Sequence, residues 1–384
     1  MAVYRIFPEQ DATIYSEYVD MNTGRDEILE ISSYYKGTTS YANRALVQFD
    51  MTEVLNVLNT YVLPDTSNLT AFSASLKLYL ASANEVPTAY TVYAYPTYVP
   101  STPTTWTVGN GKFGDLPRNS SGVSWLYTQS SGSDLWTADT PAPPYYVTRS
   151  FSSGSVTGGG TWFTSTEAFT FNMYQTHAVN STHDLDINVT DGVLAHISGS
   201  SNKGVDNAGF ILKIKDAEEF QTDRQMYLRY FSSDTHTIYP PCLEIKWNDY
   251  VAGTGLSEVS DINTVIKVKN NREVYTDEGR QKFELHVRPK YPTRTFSTSS
   301  YYLDNYYLPA TSYWGLRDEN TEEMVIDFDT TFTKLSRSST GNYFYIHMGG
   351  LEPERYYRVL LKTTIDGSTV ILDENLVFKV VRNG

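Results

Sequence analysis

The sequence predicts an all-β protein built from two successive β-sandwiches. Three observations predict it. Segments spread over residues 3–247 alternate apolar and polar residues, which turns one face of each strand to a core and the other to water. Tyr and Phe, which suit pleated and half-buried surfaces, number 31 and 17 in 384 residues. Helical patterning is confined to residues 52–63 and 216–225, and each is expected to form one or two turns at most between strands. A chain of this length is also too long for one ordinary core, so two or three are expected.

The strand signals run in order. VYRIFPEQDATIY (3–15) opens the series, and RALVQFDMTEV (44–54) and SASLKLYLA (73–81) follow. DLDINVTDGVLAHI (184–197), AGFILKIKD (208–216) and a stretch ending at Trp247 close the first half. Gly253 and Gly255 bracket a flexible stretch, which sets a boundary near residue 255. The expected domains are 1–250 and 261–384, with 251–260 as linker. The second half then restarts with alternating runs from residue 262 to 381. In it, Asp366-Gly367 between two such runs is a hairpin signal.

Several of these pieces, in this order, resemble the DNRLRE family of jelly-roll modules, relatives of carbohydrate-binding modules that grip acidic polysaccharides. Asp11, Ala12, Thr13, Asn22 and Gly24 are similar to the family's opening strand and turn. Arg44, Phe49 and Asp50 resemble its R-x-L-x-F-D strand, and residues 73–79 its A-x-L-x-L-Y strand. Asp186, Val189 and Thr190 resemble its D-V-T corner; Asn207, Gly209 and Phe210 its N-x-G-F strand; Phe231, Ser232, Ser233 and Pro241 its closing signature. The resemblance covers about two-thirds of the chain and implies a jelly-roll β-sandwich with long inserted loops. It does not imply a function, because such sandwiches host unrelated sites. Further on, Leu351, Pro353, Tyr357, Val359 and Leu361 resemble the fibronectin type III and immunoglobulin pattern, in which a tyrosine corner precedes a strand. That resemblance implies that Tyr357, or Tyr356 one register off, returns its hydroxyl to a backbone group near Leu351. The same residues also fit an ordinary strand after a proline turn.

Residues 84–166 stand apart. They carry only seven charged residues but four of the six tryptophans, and they are rich in Ser, Thr, Gly and Pro. Such aromatic content argues against disorder. Two readings stay open: loops folded over one face of the sandwich with tryptophans as anchors, or a contact surface for a protein or a glycan. On the second reading Trp106, Trp125, Trp136 and Tyr127 are the candidate contacts. A second aromatic arm, residues 293–314, holds five tyrosines and a tryptophan and is expected to lie on a partner. Tyr306, Tyr307 and Trp314 are its candidates.

Charge and motifs exclude much else. Residues 258–384 hold 18 acids against 16 bases, which leaves 26 against 14 in residues 1–257. A net of −12 in that first part repels nucleic acid and anionic membrane, and no basic stripe offsets it. GNGKFG (109–114) matches G-x-G-x-x-G by letter, but DLPRNSSG follows it and cannot start the required helix. Asp184 and Asp186 share a strand face without the further oxygens that calcium needs. His177 and His183 are expected at the surface, and Glu218/Glu219 and Glu322/Glu323 are adjacent carboxylates that would face opposite ways in a strand. No nucleophile, base or metal set is evident, so neither an enzyme nor a cofactor is expected. The single cysteine, Cys242, excludes an internal disulfide and fits a buried, inert thiol. The N-terminus carries no signal-peptide pattern.

Tandem β-sandwiches without catalytic parts resemble virion proteins of tailed phages, where carbohydrate-module-like and immunoglobulin-like domains recur as decoration, neck, baseplate or fibre components. That resemblance implies protein–protein contacts with other virion proteins and with copies of the chain, and location in the virion. The alternative is a glycan-binding module of a surface or secreted protein.

Overall fold

The computed structural model describes residues 2–99, 104–130, 132, 134–136, 158–292 and 303–383, together with the backbone of 146–149. It is all-β, with antiparallel sheets in a β-sandwich architecture. The chain divides into two compact units. One comprises Ile6–Asn56 and Ser73–Glu244; the other comprises Met1–Arg5, Val57–Phe72 and Ile245–Gly384. The chain thus passes from one to the other after Arg5, Asn56, Phe72 and Glu244, where the sequence suggests one boundary near residue 255.

The larger unit centres on an eight-stranded sheet. Its order is Tyr174–His177, Tyr90–Pro96, Phe210–Ile214, Thr39–Gln48, Ile28–Lys36, Met226–Phe231 and Leu80–Asn84, with Gln10–Tyr15 also pairing to Thr39–Gln48. Leu185–Asn188 pairs antiparallel with residues 75–78 outside this sheet. One face of the large sheet carries Ala12, Ile14, Ala42, Leu46 and Ile211, and against it pack Trp106, Trp125, Trp136 and Trp162. The described parts of the charge-poor segment therefore fold over this face with tryptophans as anchors.

Between sheet and tryptophans lies an ion cluster. Arg44 is fully buried and donates through Nε and Nη2 to both oxygens of Glu219, each at 2.7 Å. Lys213, 1% exposed, lies 2.9 Å from Glu219 Oε2. The Arg44 guanidinium also faces Trp125 at 4.9 Å and Trp162 at 5.2 Å. Close approach explains Gly159, at φ +86°: a Cβ there would sit 2.6 Å from the Trp125 ring and 2.8 Å from Arg44 Nη1. Glu219 ends a one-turn helix, Asp216–Glu219, inside the stretch where a short helix is expected. Burial could not be read there because Arg44, which engages both carboxylate oxygens, is 175 residues away.

Asp11 is a second buried carboxyl, 2% exposed, and its Oδ2 accepts the Ser233 N–H at 2.7 Å. Burial, aided by nearby Asp234, raises its pKa to about 7 against the Ser233 hydrogen bonds. Because the folded value exceeds the unfolded one, this group's contribution is fully present below about pH 4 and is lost as pH rises toward 7. The slope it adds is at most about 1.4 kcal/mol per pH unit. Asp11→Asn keeps an acceptor for Ser233 and removes the titration. Urea unfolding at pH 5 and pH 8 should therefore show the variant gaining on wild type at the higher pH. An equal difference at both values would contradict the assignment.

The second unit has a four-stranded sheet, ordered Thr264–Val268, Arg280–Pro289, Gly341–His347 and Ser336–Ser338. Its five-stranded sheet is ordered Val274–Thr276, Ser368–Val381, Tyr356–Ile365, Tyr313–Asp318 and Met324–Ile326. Val274–Thr276 runs parallel to its neighbour. A shared core includes Phe283, Trp314, Leu316, Phe344, Val359 and Phe378, and Val3 from the start of the chain joins it. Tyr357 is buried and donates its hydroxyl to Glu352 O at 2.9 Å, five residues back. The expected hairpin at Asp366-Gly367 links the strands Tyr356–Ile365 and Ser368–Val381.

A helical segment runs unbroken from Met51 to Thr66, with a π-helical stretch at Leu58–Val62. It exceeds the expected one or two turns. Buried Val54, Leu58 and Val62 give it a continuous apolar stripe at spacing four, which tertiary burial stabilises beyond local propensity. Tyr61 on it stacks on Trp247 (6.4 Å, 10°) and meets the edge of His347 at 4.5 Å, while Tyr4 lies 5.8 Å from His347. These aromatic contacts tie the short N-terminal and helical pieces to the second unit.

Candidate functional site

The sequence's candidate contact residues are mostly internal. Trp106, Trp125 and Trp136 are each 1% exposed. The Trp106 and Trp136 indole N–H groups donate to Ala208 O and Ser124 O, both at 2.9 Å. Trp314 is fully buried and stacks on Phe344 at 5.5 Å; Tyr307 is buried and its hydroxyl donates to Ser338 O. Tyr127 and Tyr306 are half-buried; Tyr127 forms a bridge with Leu135, and Tyr306 packs against the second unit's core. Burial of the loop tryptophans fits the anchor reading of the two left open, whereas for Trp314 and Tyr307 the expectation of a partner-facing arm is corrected, because both side chains are covered within their own unit. Residues 141–144 and 293–302, which belong to the two expected contact segments, lie outside the described residues. His177, expected at the surface, is buried at 1%, stacked on Tyr90 at 4.6 Å and bonded through Nδ1 to Thr182 O. His183 bonds the Tyr90 hydroxyl at 2.8 Å.

A different set of residues forms a cleft of about 200 Å³ in the larger unit. Strand alternation assembles it. On Ile28–Lys36, residues Glu30, Ser32, Tyr34 and Lys36 share one face by period two. Register brings Tyr41 opposite Tyr34 and Asn43 opposite Ser32; it also brings Tyr227 opposite Ser32 and Arg229 opposite Glu30. Tyr15 pairs with Asn43 from the Gln10–Tyr15 strand, and Glu17 and Tyr18 follow it. Tyr34 stacks between Tyr41 at 5.5 Å and Tyr227 at 5.3 Å, a three-strand ladder of rings.

The cleft's far wall is Phe113, which is 49% exposed and rests 5.2 Å from Tyr15 and 6.1 Å from Tyr18. The GNGKFG loop delivers it. Buried Asn22 organises that loop: its Nδ2 donates to Val108 O and Val123 O, and its Oδ1 accepts from Gly111 N. Gly109, at φ +79°, passes so close that a Cβ would lie 2.4 Å from Asn22 Oδ1. No helix follows the loop, so its glycines serve a tight structural turn.

Polar groups in the cleft are strongly coupled. Glu17 accepts the Tyr34 hydroxyl at 2.8 Å and the Lys36 ammonium. Burial opposes the charge on Glu17, but the hydrogen bonds from Lys36 and Tyr34 outweigh it and hold the carboxyl below its usual range. Burial, then the Glu17 carboxylate, pushes the Tyr34 phenol far above its ordinary value. Tyr15 is raised likewise, by burial first and then by Glu30 and Asp26. Glu30 accepts from Asn43 Nδ2 at 2.7 Å, Ser32 Oγ at 3.1 Å and Arg229 Nε at 3.0 Å. Asn43, 2% exposed, keeps a buried Oδ1 without a hydrogen-bond partner.

No protein-family model matches this chain, and no curated protein matches it. The chemistry of the cleft therefore carries the functional argument. Among the described residues, no group of three or more His, Cys, Asp or Glu is placed to hold a metal ion. Among them too, no helix is long and apolar enough to cross a membrane. The cleft offers aromatic walls, fixed carboxylates and, at Asn43 Oδ1, a buried acceptor without a hydrogen-bond partner. The sequence signal that could have found it is the alternation E-I-S-S-Y-Y-K from residue 30, with Glu30, Tyr34 and Lys36 on one face.

Proposed function

We propose that this chain is a non-enzymatic structural component of a tailed-phage virion that acts through contacts with other virion proteins and with copies of itself. The observation that carries this reading is the use of the conspicuous side chains. All six tryptophans and the Arg44–Glu219–Lys213 cluster are buried in packing, as befits a rigid building block rather than a reactive site. The DNRLRE-like order of motifs supports a jelly-roll assignment for the larger unit. The Tyr357–Glu352 bond supports an immunoglobulin-like one for the second unit. Mass spectrometry of purified particles from a phage encoding this chain should detect it as a stoichiometric component, and electron cryomicroscopy should show it in the particle. Its absence from intact particles would overturn the reading.

A second reading is favoured by the cleft: a glycan-binding module. Aromatic rings beside fixed polar groups in a groove are what sugar recognition needs, because sugars present both C–H faces and hydroxyl edges. A virion component that also grips a glycan satisfies both readings.

A further inference from the structure

We propose that the cleft between the Ile28–Lys36 face and Phe113 takes a neutral saccharide and discriminates against uronate-rich chains. This rests on the glycan reading above.

The charged groups around the cleft are already set against one another. Lys36 is engaged by Glu17, and Arg229 Nε by Glu30 Oε2 at 3.0 Å. Arg118 lies 3.7 Å over the Tyr18 ring, and Asp26 accepts the Phe113 N–H at 3.2 Å. Two cations thus stand paired with carboxylates, and a third lies over a ring. An incoming carboxylate would meet the negative charges of Glu17 and Glu30 beside Lys36 and Arg229. The net charge of −12 on residues 1–257 adds long-range repulsion. An incoming ammonium would meet Lys36, Arg118 and Arg229. A neutral ligand meets neither obstacle.

Asn43 supplies the positive requirement. The Glu30 carboxylate accepts and cannot donate, so the amide nitrogen must face it, and Oδ1 is the atom left over. A buried acceptor without a partner is costly and rare. A hydroxyl can donate to it, whereas a carboxylate cannot. Phe113, half exposed and held by Tyr15 and Tyr18, offers an apolar wall for the C–H face of the same ring.

Calorimetric titration of the full chain tests this with two panels. One comprises neutral oligosaccharides (gluco-, manno-, galacto- and N-acetylglucosamine oligomers), the other alginate and polygalacturonate oligomers. Binding is expected in the neutral panel, and Phe113→Ala should weaken it about tenfold or more while leaving the melting temperature within a degree or two. Tighter binding of the uronates would overturn the inference and leave the glycan reading standing. Neutral binding unaffected by Phe113→Ala would place the sugar elsewhere and overturn the inference alone. Binding in neither panel would overturn both, without bearing on presence of the chain in particles.

Discussion

Replacing Glu219 with glutamine is expected to lower the unfolding free energy by about 3–5 kcal/mol, the usual result of removing one partner from a buried ion cluster. Glu219 is the only carboxylate that meets both Arg44 and Lys213 among their described interactions, and all three side chains are at most 2% exposed. Glutamine keeps one acceptor but turns an amide N–H toward the cations, which leaves Arg44 uncompensated between Trp125 and Trp162. The pH dependence follows a definite sign. Burial opposes the charge on Glu219, yet Arg44 and Lys213 outweigh it and hold the carboxyl below its ordinary range. Its contribution is therefore present above the unfolded value, about 4.3, and is lost as pH falls through the lower folded value. Asp11 acts in the opposite sense. Urea unfolding at pH 7 measures the loss, and a change under about 1 kcal/mol would show that the cluster contributes little.

Trp314→Ala is expected to cost about 3–5 kcal/mol of stability, the range for truncating a core aromatic. The indole is fully buried, stacks on Phe344 and lies opposite Leu361 in the five-stranded sheet. No exposed face is left for a partner, so on the proposed virion reading incorporation into particles should fall only as stability falls. Thermal and urea melts followed by tryptophan-independent circular dichroism would measure it. An unchanged melt with lost incorporation would restore the interface role that the sequence suggests for this residue.

Period-two alternation was enough to read the fold class, because a half-buried strand writes its two faces into consecutive residues. The same holds for the hairpin at Asp366-Gly367, whose backbone places Asp366 at φ 48° and Gly367 at φ 73°. The Tyr357 hydroxyl bond was implied by the resemblance to the tyrosine-corner pattern, which left Tyr356 open as well. Cys242 is buried, as its strand context suggests.

What sequence could not decide was which face of each aromatic-rich stretch meets water. A tryptophan in a loop has the same composition signal whether it anchors the loop or greets a partner; only the sheet beneath Trp106, Trp125 and Trp136 makes them core. The cleft was hidden for a related reason. Its residues come from strands near positions 15, 30, 43 and 227 and from a loop at 113, and only strand register makes them neighbours. Likewise Arg44 and Glu219 reveal nothing singly, since burying either charge is unfavourable until the other is beside it. Local periodicity determined the strands; long-range pairing of charges and rings, which no window along the chain contains, decided the core and the cleft.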